Sequence, residues 1–197
     1  MPVTIRRATP GDIPFLVGLF TDADVAPFLA AVRPTSEEVV AAEVARSVRE
    51  PDAYGVLVLE HDGARIGTVT WERVNRRSRI ASVSALAIDP ALRGRGVGVA
   101  AARAVQLHLL RDVGFHRIQM EVYGFNERAL RHAERAGWIR EGVRRSAYLR
   151  DGAWVDGILF GLVEEDLETD EPARRDRGDE GAHGDEERHR VLLPVSG

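Results

Sequence analysis

The sequence predicts a mixed α/β domain in the order β-α-α-β-β-β-α-β-α-β-β, with a central mixed sheet flanked by helices. Three features carry this expectation. Short apolar runs with two-residue alternation are bounded by turn residues. Amphipathic segments open at Asp, Ser/Thr or Asn and close at glycine. Finally, 44 % apolar against 29 % charged residues over 197 positions is enough for one substantial core.

In chain order, residues 3–7 read as a short strand. Asp12 is placed to cap a helix carrying Ile13, Leu16, Leu19 and Phe20 on one face, and Pro14 is tolerated in its first turn. Thr35-Ser36-Glu37-Glu38 forms a capping box for a second helix. Its Val40, Val44 and Val48 fall at i, i+4 and i+8, with Pro51 beyond its end. Residues 55–60 and 65–72 form a hairpin around His61-Asp62-Gly63, and 80–89 is a strand stopped at Pro90. Residues 98–113 make an apolar helix closed by Gly114, and 117–123 a strand. Asn126 caps a helix to Ala136 with Gly137 as its left-handed stop. Two strands within 143–149 and 155–162, turning at Asp151-Gly152, complete the set.

Composition bounds the chemistry. With no cysteine there is no disulfide, thiolate metal site or cysteinyl acyl-enzyme. With no lysine there is neither a Walker phosphate loop nor Schiff-base chemistry. The six histidines show no metal-ligand spacing, so no metal is expected. From Thr169 the hydrophobic pattern stops, and a domain over 1–167 is expected to give way to a disordered acidic, Arg- and Gly-rich tail over 168–197. Residues 164–190 hold twelve Asp/Glu and five Arg, leaving 19 acidic residues and 22 arginines elsewhere. That excess is too small for nucleic acid but suits an anionic cofactor. No apolar run is long enough for a membrane span and the start lacks a signal-peptide pattern, so a cytoplasmic protein with no membrane partner is expected.

The stretch that carries chemistry runs from Leu86-Ala87-Ile88-Asp89-Pro90 into Arg93-Gly94-Arg95-Gly96-Val97-Gly98. Alternating glycines at a helix start let the backbone approach a ligand and aim unpaired N–H groups at it, where the helix dipole favours an anion. Arg93 and Arg95 add charge suited to phosphate. A Rossmann fingerprint fails, because the position that requires its third glycine is Val99. A glycine-rich turn without a ligand and a pyrophosphate cradle of another kind remain.

These residues resemble the R/Q-x-x-G-x-G/A motif of the GNAT N-acetyltransferases, preceded by that family's L-A-φ-x-P strand end. Asn126-Glu127-Arg128-Ala129, Gly137-Trp138 and Glu141-Gly142 are similar to its N-x-x-A/S…G-F…E-G run. With Arg144-Arg145 and Gly152…Asp156, the likeness over residues 3–165 is nearest the RimJ/RimL branch. The resemblance implies a GNAT-like fold, acetyl-CoA as co-substrate and a primary amine as acceptor. It also implies that Arg93 to Gly98 hold the pyrophosphate while the main chain of Leu86, Ala87 and Ile88 pairs with the pantetheine arm and stabilises the oxyanion.

Asn126 is a helix cap, and the family's matching asparagine also touches the cofactor. Glu121 matches a position that serves as general base in some relatives, and it reads equally as a solvated carboxylate on a half-exposed strand. Glu72 and Asp156 are the other candidates for the base. Many members place a tyrosine that protonates the leaving thiolate seven residues after the asparagine; here that position is Ala133. Tyr123, Tyr148, water or an unassisted thiolate departure could replace it. Asp22, Asp24 and Glu72 could attract a cationic acceptor. The acceptor is open between a protein N-terminus, an amino acid, a polyamine and an aminoglycoside. A homodimer follows from family habit, and a non-catalytic acyl-CoA-binding regulatory module is the alternative to an enzyme.

Overall fold

The computed structural model describes residues 3–29, 36–93 and 96–168. Seven strands form one sheet: β1 (Val3–Arg7), β2 (Tyr54–His61), β3 (Ala64–Asn75), β4 (Ile80–Ile88), β5 (Arg117–Tyr123), β6 (Ile139–Arg150) and β7 (Ala153–Val163). The helices are α1 (Ile13–Thr21), α2 (Glu37–Arg49), α3 (Val97–Leu107), α4 (Glu127–Arg135) and a short α5 (Glu164–Glu168). The sheet order is β1-β2-β3-β4-β5-β7-β6, antiparallel throughout except for β4 beside β5. This is the mixed α/β architecture and element order expected from the sequence. Among the described residues, no helix is long and apolar enough to cross a membrane.

The β2–β3 hairpin turns at Asp62 and Gly63, with φ of 53° and 76°. Two positive values fit the right-handed twist of the strands, which is why Asp-Gly stands there. β2 is buried on both faces. Leu57 and Leu59 pack with Val69, Trp71 and Val105 of α3, while Val56 and Val58 pack on Leu16 of α1 and on Val40 and Val44 of α2. The central strands are thus clamped between two helical layers.

Several local details depart from expectation. Asp12 precedes α1, but its side chain does not cap that helix. It accepts from Arg6 at 2.7 and 2.9 Å, from the Thr9 N–H and hydroxyl at 2.8 Å each, and from Arg65 at 3.3 Å. This guanidinium and hydrogen-bond shell holds the carboxyl far below its ordinary range. In α2 the cap is Ser36, which accepts from Val39 N–H, while Thr35 lies outside the described residues. Val48 is exposed and Ser47 is buried instead, because the inward stripe runs through 40, 44 and 47. Ser47 Oγ accepts from Arg7 at 2.8 Å and from Val56 N–H at 3.0 Å, which satisfies its polarity in the core.

The helix expected over 98–113 starts one residue earlier, and its last turn, His108–Asp112, widens to π geometry before Gly114 (φ 81°). The closing strands are each longer than expected at both ends, and α5 follows them. Of the expected tail over 168–197, Glu168 ends α5 and residues 169–197 fall outside the described residues.

Candidate active site

The site begins where the sheet stops being continuous. β4 and β5 run parallel and pair only from Ile80–Arg117 to Ser82–Gln119. Beyond Ser82, β4 continues along β3 through Ala87 and Ile88, with a bulge at Ala85 (φ 49°), while β5 follows β7 to Tyr123. Across this gap, the facing edges of β4 and β5 have no strand partner. A cleft of about 570 Å³ fills it, bordered by Ser82 to Ile88 on one side and Met120 to Tyr123 on the other.

Two helices point their N-termini at the cleft. α3 starts at Gly96, whose backbone is left-handed (φ 77°) and which has open space where a Cβ would stand. The first main-chain bond of α3 runs from Ala100 N–H to Gly96 O, so the amides of residues 97–99 precede any intrahelical carbonyl partner. Gly96 and Gly98 border the cleft, as does Arg93, but Val97 turns into the core instead. Gly94 and Arg95 lie outside the described residues. α4 starts at Asn126, whose Oδ1 accepts from Ala129 N–H at 3.1 Å while the residue borders the cleft.

The acidic candidates separate cleanly. Glu121 on β5 borders the cleft, its Oε2 is 3.3 Å from Arg144, and its Oε1 is buried with no hydrogen-bond partner among the described residues. Its side chain is 21 % exposed, so the carboxylate is only partly shielded from solvent. Glu72 points elsewhere, bonded to Arg46 of α2 at 2.6 Å, and does not border the cleft. Asp156 accepts from Ser146 N–H at 2.7 Å and supports an irregular stretch of β6 where Ser146 has φ 49°. Asp22 closes its own turn by accepting from Asp24 N–H. Asp24 borders the cleft and pairs with Arg93 at 3.4 Å.

Sequence reasoning did not single out His132, and it left Tyr148 unranked against Tyr123. His132 borders the cleft from α4 and faces Gly98, where a Cβ would stand 3.2 Å from its ring. Burial, helped by Arg135, pushes its pKa below the ordinary histidine value. Tyr148 lies edge-on to Tyr123 at 5.2 Å, and burial and the Glu121 carboxylate raise its pKa, so it stays protonated near neutrality. Ala133 borders the cleft without a hydroxyl. The loop after α1 is tied to the cleft by arginines: Arg128 donates to Asp24 O at 3.0 Å and Arg150 to Pro27 O at 2.7 Å. Arginine–carbonyl contacts over more than a hundred residues leave no local pattern to read. Among the described residues, no group of three His, Asp or Glu could hold a metal ion.

A family model described as an acetyltransferase (GNAT) domain matches residues 3–139. An uncharacterized SPbeta prophage-derived N-acetyltransferase of Bacillus subtilis (strain 168) is 25 % identical over 119 residues, which are 60 % of this chain and 67 % of that protein. The fold is also similar to spermidine N-acetyltransferase from Vibrio cholerae in complex with CoA and spermine. The TM-score is 0.75 at 19 % identity, covering 84 % of this chain and 97 % of that one. A similar likeness links it to RimL, a ribosomal L7/L12 alpha-N-protein acetyltransferase in complex with coenzyme A. There the TM-score is 0.73 at 17 % identity, covering 83 % and 94 %.

Proposed function

The chain belongs to the GNAT acetyltransferase family, and we propose that it transfers the acetyl group of acetyl-CoA directly to a primary amine in a ternary complex. The observation that carries this reading is the interrupted seam between β4 and β5, which leads away from the bare start of α3. The residues present suit acetyl-CoA. Uncapped amides at Gly98 and Val99 and the guanidinium of Arg93 match a diphosphate. The unpaired edge at Leu86, Ala87 and Ile88 offers main-chain partners to the amides of a pantetheine arm. Gly94, Arg95 and Val97 complete the phosphate turn by family analogy, and Asn126 adds a polar group at its rim. When bound, acetyl-CoA supplies an activated thioester.

The chain's own residues supply the rest. Glu121, which borders the cleft and whose Oε1 has no hydrogen-bond partner among the described residues, receives the proton of the incoming ammonium directly or through water. Main-chain N–H groups along β4 stabilise the oxyanion. With no cysteine in the chain, no cysteinyl intermediate intervenes. A thiol has a pKa of about 8.5 and leaves readily near neutral pH, so the absence of a tyrosine at Ala133 does not stop turnover.

The Asn126…Gly137-Trp138…Glu141-Gly142 run supports placement nearest the RimJ/RimL branch, with a protein N-terminus or a small amine as acceptor in the cytoplasm. Steady thiol release from acetyl-CoA with at least one of four amine classes, together with an acetyl-CoA-dependent rise in Tm, is the expected result. A rise in Tm without release from any amine would instead favour a regulatory acyl-CoA-binding module. No rise in Tm at saturating acetyl-CoA would overturn both readings.

A further inference from the structure

We infer that Gly157 is a positioning residue for acetyl transfer: its missing side chain is the notch that seats the Glu121 carboxylate, with the Tyr148 ring as the other wall. This rests on the reading of Glu121 as the base. Gly157 lies inside β7, paired with Tyr123 of β5 and Arg144 of β6. Its φ is outside the left-handed region, and no turn is made there, so backbone conformation does not call for glycine. Space does. A Cβ at this position would stand 2.8 Å from Glu121 Cδ and closer still to Oε1, and 2.9 Å from Tyr148 Cε2.

On a sheet, diagonal neighbours are within reach of long side chains, and Glu121 is diagonal to Gly157 across β5 and β7. The carboxylate therefore lies over bare backbone rather than standing out into the cleft. The charged and titratable groups facing it are Arg144 at 3.3 Å and Tyr148, both from β6. β7 presents none, because Asp156 is turned to Ser146 N–H. Oε2 is thus oriented by Arg144, while Oε1 is buried in the notch between the Gly157 backbone and the Tyr148 ring. A base must be within hydrogen-bond reach of the proton it takes, and small displacements are costly.

The atoms a new methyl would meet are the far end of a flexible side chain and a ring edge, so Gly157→Ala is expected to fold and to displace the carboxylate. Its kcat is expected to fall about 100-fold, to the level of Glu121→Gln. KM for acetyl-CoA and the acetyl-CoA-dependent Tm shift stay within about two-fold of the parent. Because both changes act through one carboxylate, E121Q/G157A is no slower than E121Q. E121D/G157A regains at least about ten-fold over G157A, since the shorter acid withdraws from the methyl.

Gly161, also on β7, makes room for the Arg117–Glu141 pair, which does not border the cleft, and Gly161→Ala is the control for a buried methyl on that strand. Wild-type kcat in G157A beside an impaired E121Q overturns the inference, as do losses that simply add in the double variant. If G157A melts early, E121A/G157A decides. A restored Tm supports competition for one volume, and a persistent loss overturns it. Full activity in E121Q removes the base and this inference while leaving the transferase reading intact; absence of thiol release in the parent protein removes both.

Discussion

α3 and α4 both start at the cleft, and they start differently. α4 satisfies its own first turn through Asn126, the ordinary device for a helix end in a folded protein. α3 begins at a left-handed glycine with no side chain to offer, and its leading amides face a groove. A capped end closes a structural account within the chain. An uncapped end beside an unpaired strand edge leaves donors for something outside it. The difference separates scaffold from binding surface more sharply than burial does.

That contrast can be broken most forcefully at Gly96. Gly96→Glu places a carboxylate at the anion-seeking end and adds about 1 kcal/mol or more of left-handed strain. Titration calorimetry is expected to show acetyl-CoA affinity reduced at least about 100-fold, with far-UV circular dichroism unchanged. Unchanged affinity would mean that the α3 end is not the phosphate site.

Asn126→Ala acts on the other helix and is expected to cost about 1 kcal/mol of stability, read by urea denaturation. Asn126→Asp should recover most of it. If Asn126→Ala instead leaves stability intact while eliminating cofactor binding, the two helix ends are equivalent and the comparison fails.

The smallest effect falls at His132, where the two helices meet. Burial lowers its folded pKa, so the unfolded chain binds more protons as pH falls through the ordinary histidine value near 6.5. Its share of stability is complete above that pH and is lost progressively below it. Replacement by Asn should flatten the decline of Tm between pH 7 and 5.5. An unaltered slope would place the titration elsewhere.

Much of the scaffold could be read locally. Asp62-Gly63 and Asp151-Gly152 mark hairpins because two successive positive φ values suit those residues, and Asn126 and Gly137 bracket α4 for equally local reasons. The glycine-rich turn after β4 was legible because a ligand-facing backbone imposes its own composition. Failures came where a neighbour from far along the chain decided the outcome. Val48 and Ser47 exchange burial because Arg7 and the β2 backbone supply hydrogen bonds to the serine. Glu72 lies on a strand suited to a catalytic role, yet α2 places Arg46 against it.

From the chain alone came the succession of elements, the exclusion of cysteine and lysine chemistry, and the anion-seeking turn, all consequences of residue type and of contacts a few positions apart. Tertiary structure alone decided that β4 and β5 part after three residue pairs, that Glu121 rather than Glu72 or Asp156 borders the gap, and that its carboxylate lies where a Gly157 Cβ would stand. The physical reason is range: φ, capping and alternation are encoded within a turn of the chain. Where a strand loses its neighbour, and which carboxylate is drawn away from the gap, depends on partners outside the local turn, such as Arg46 for Glu72, 26 positions away, and Ser146 for Asp156, 10 positions away.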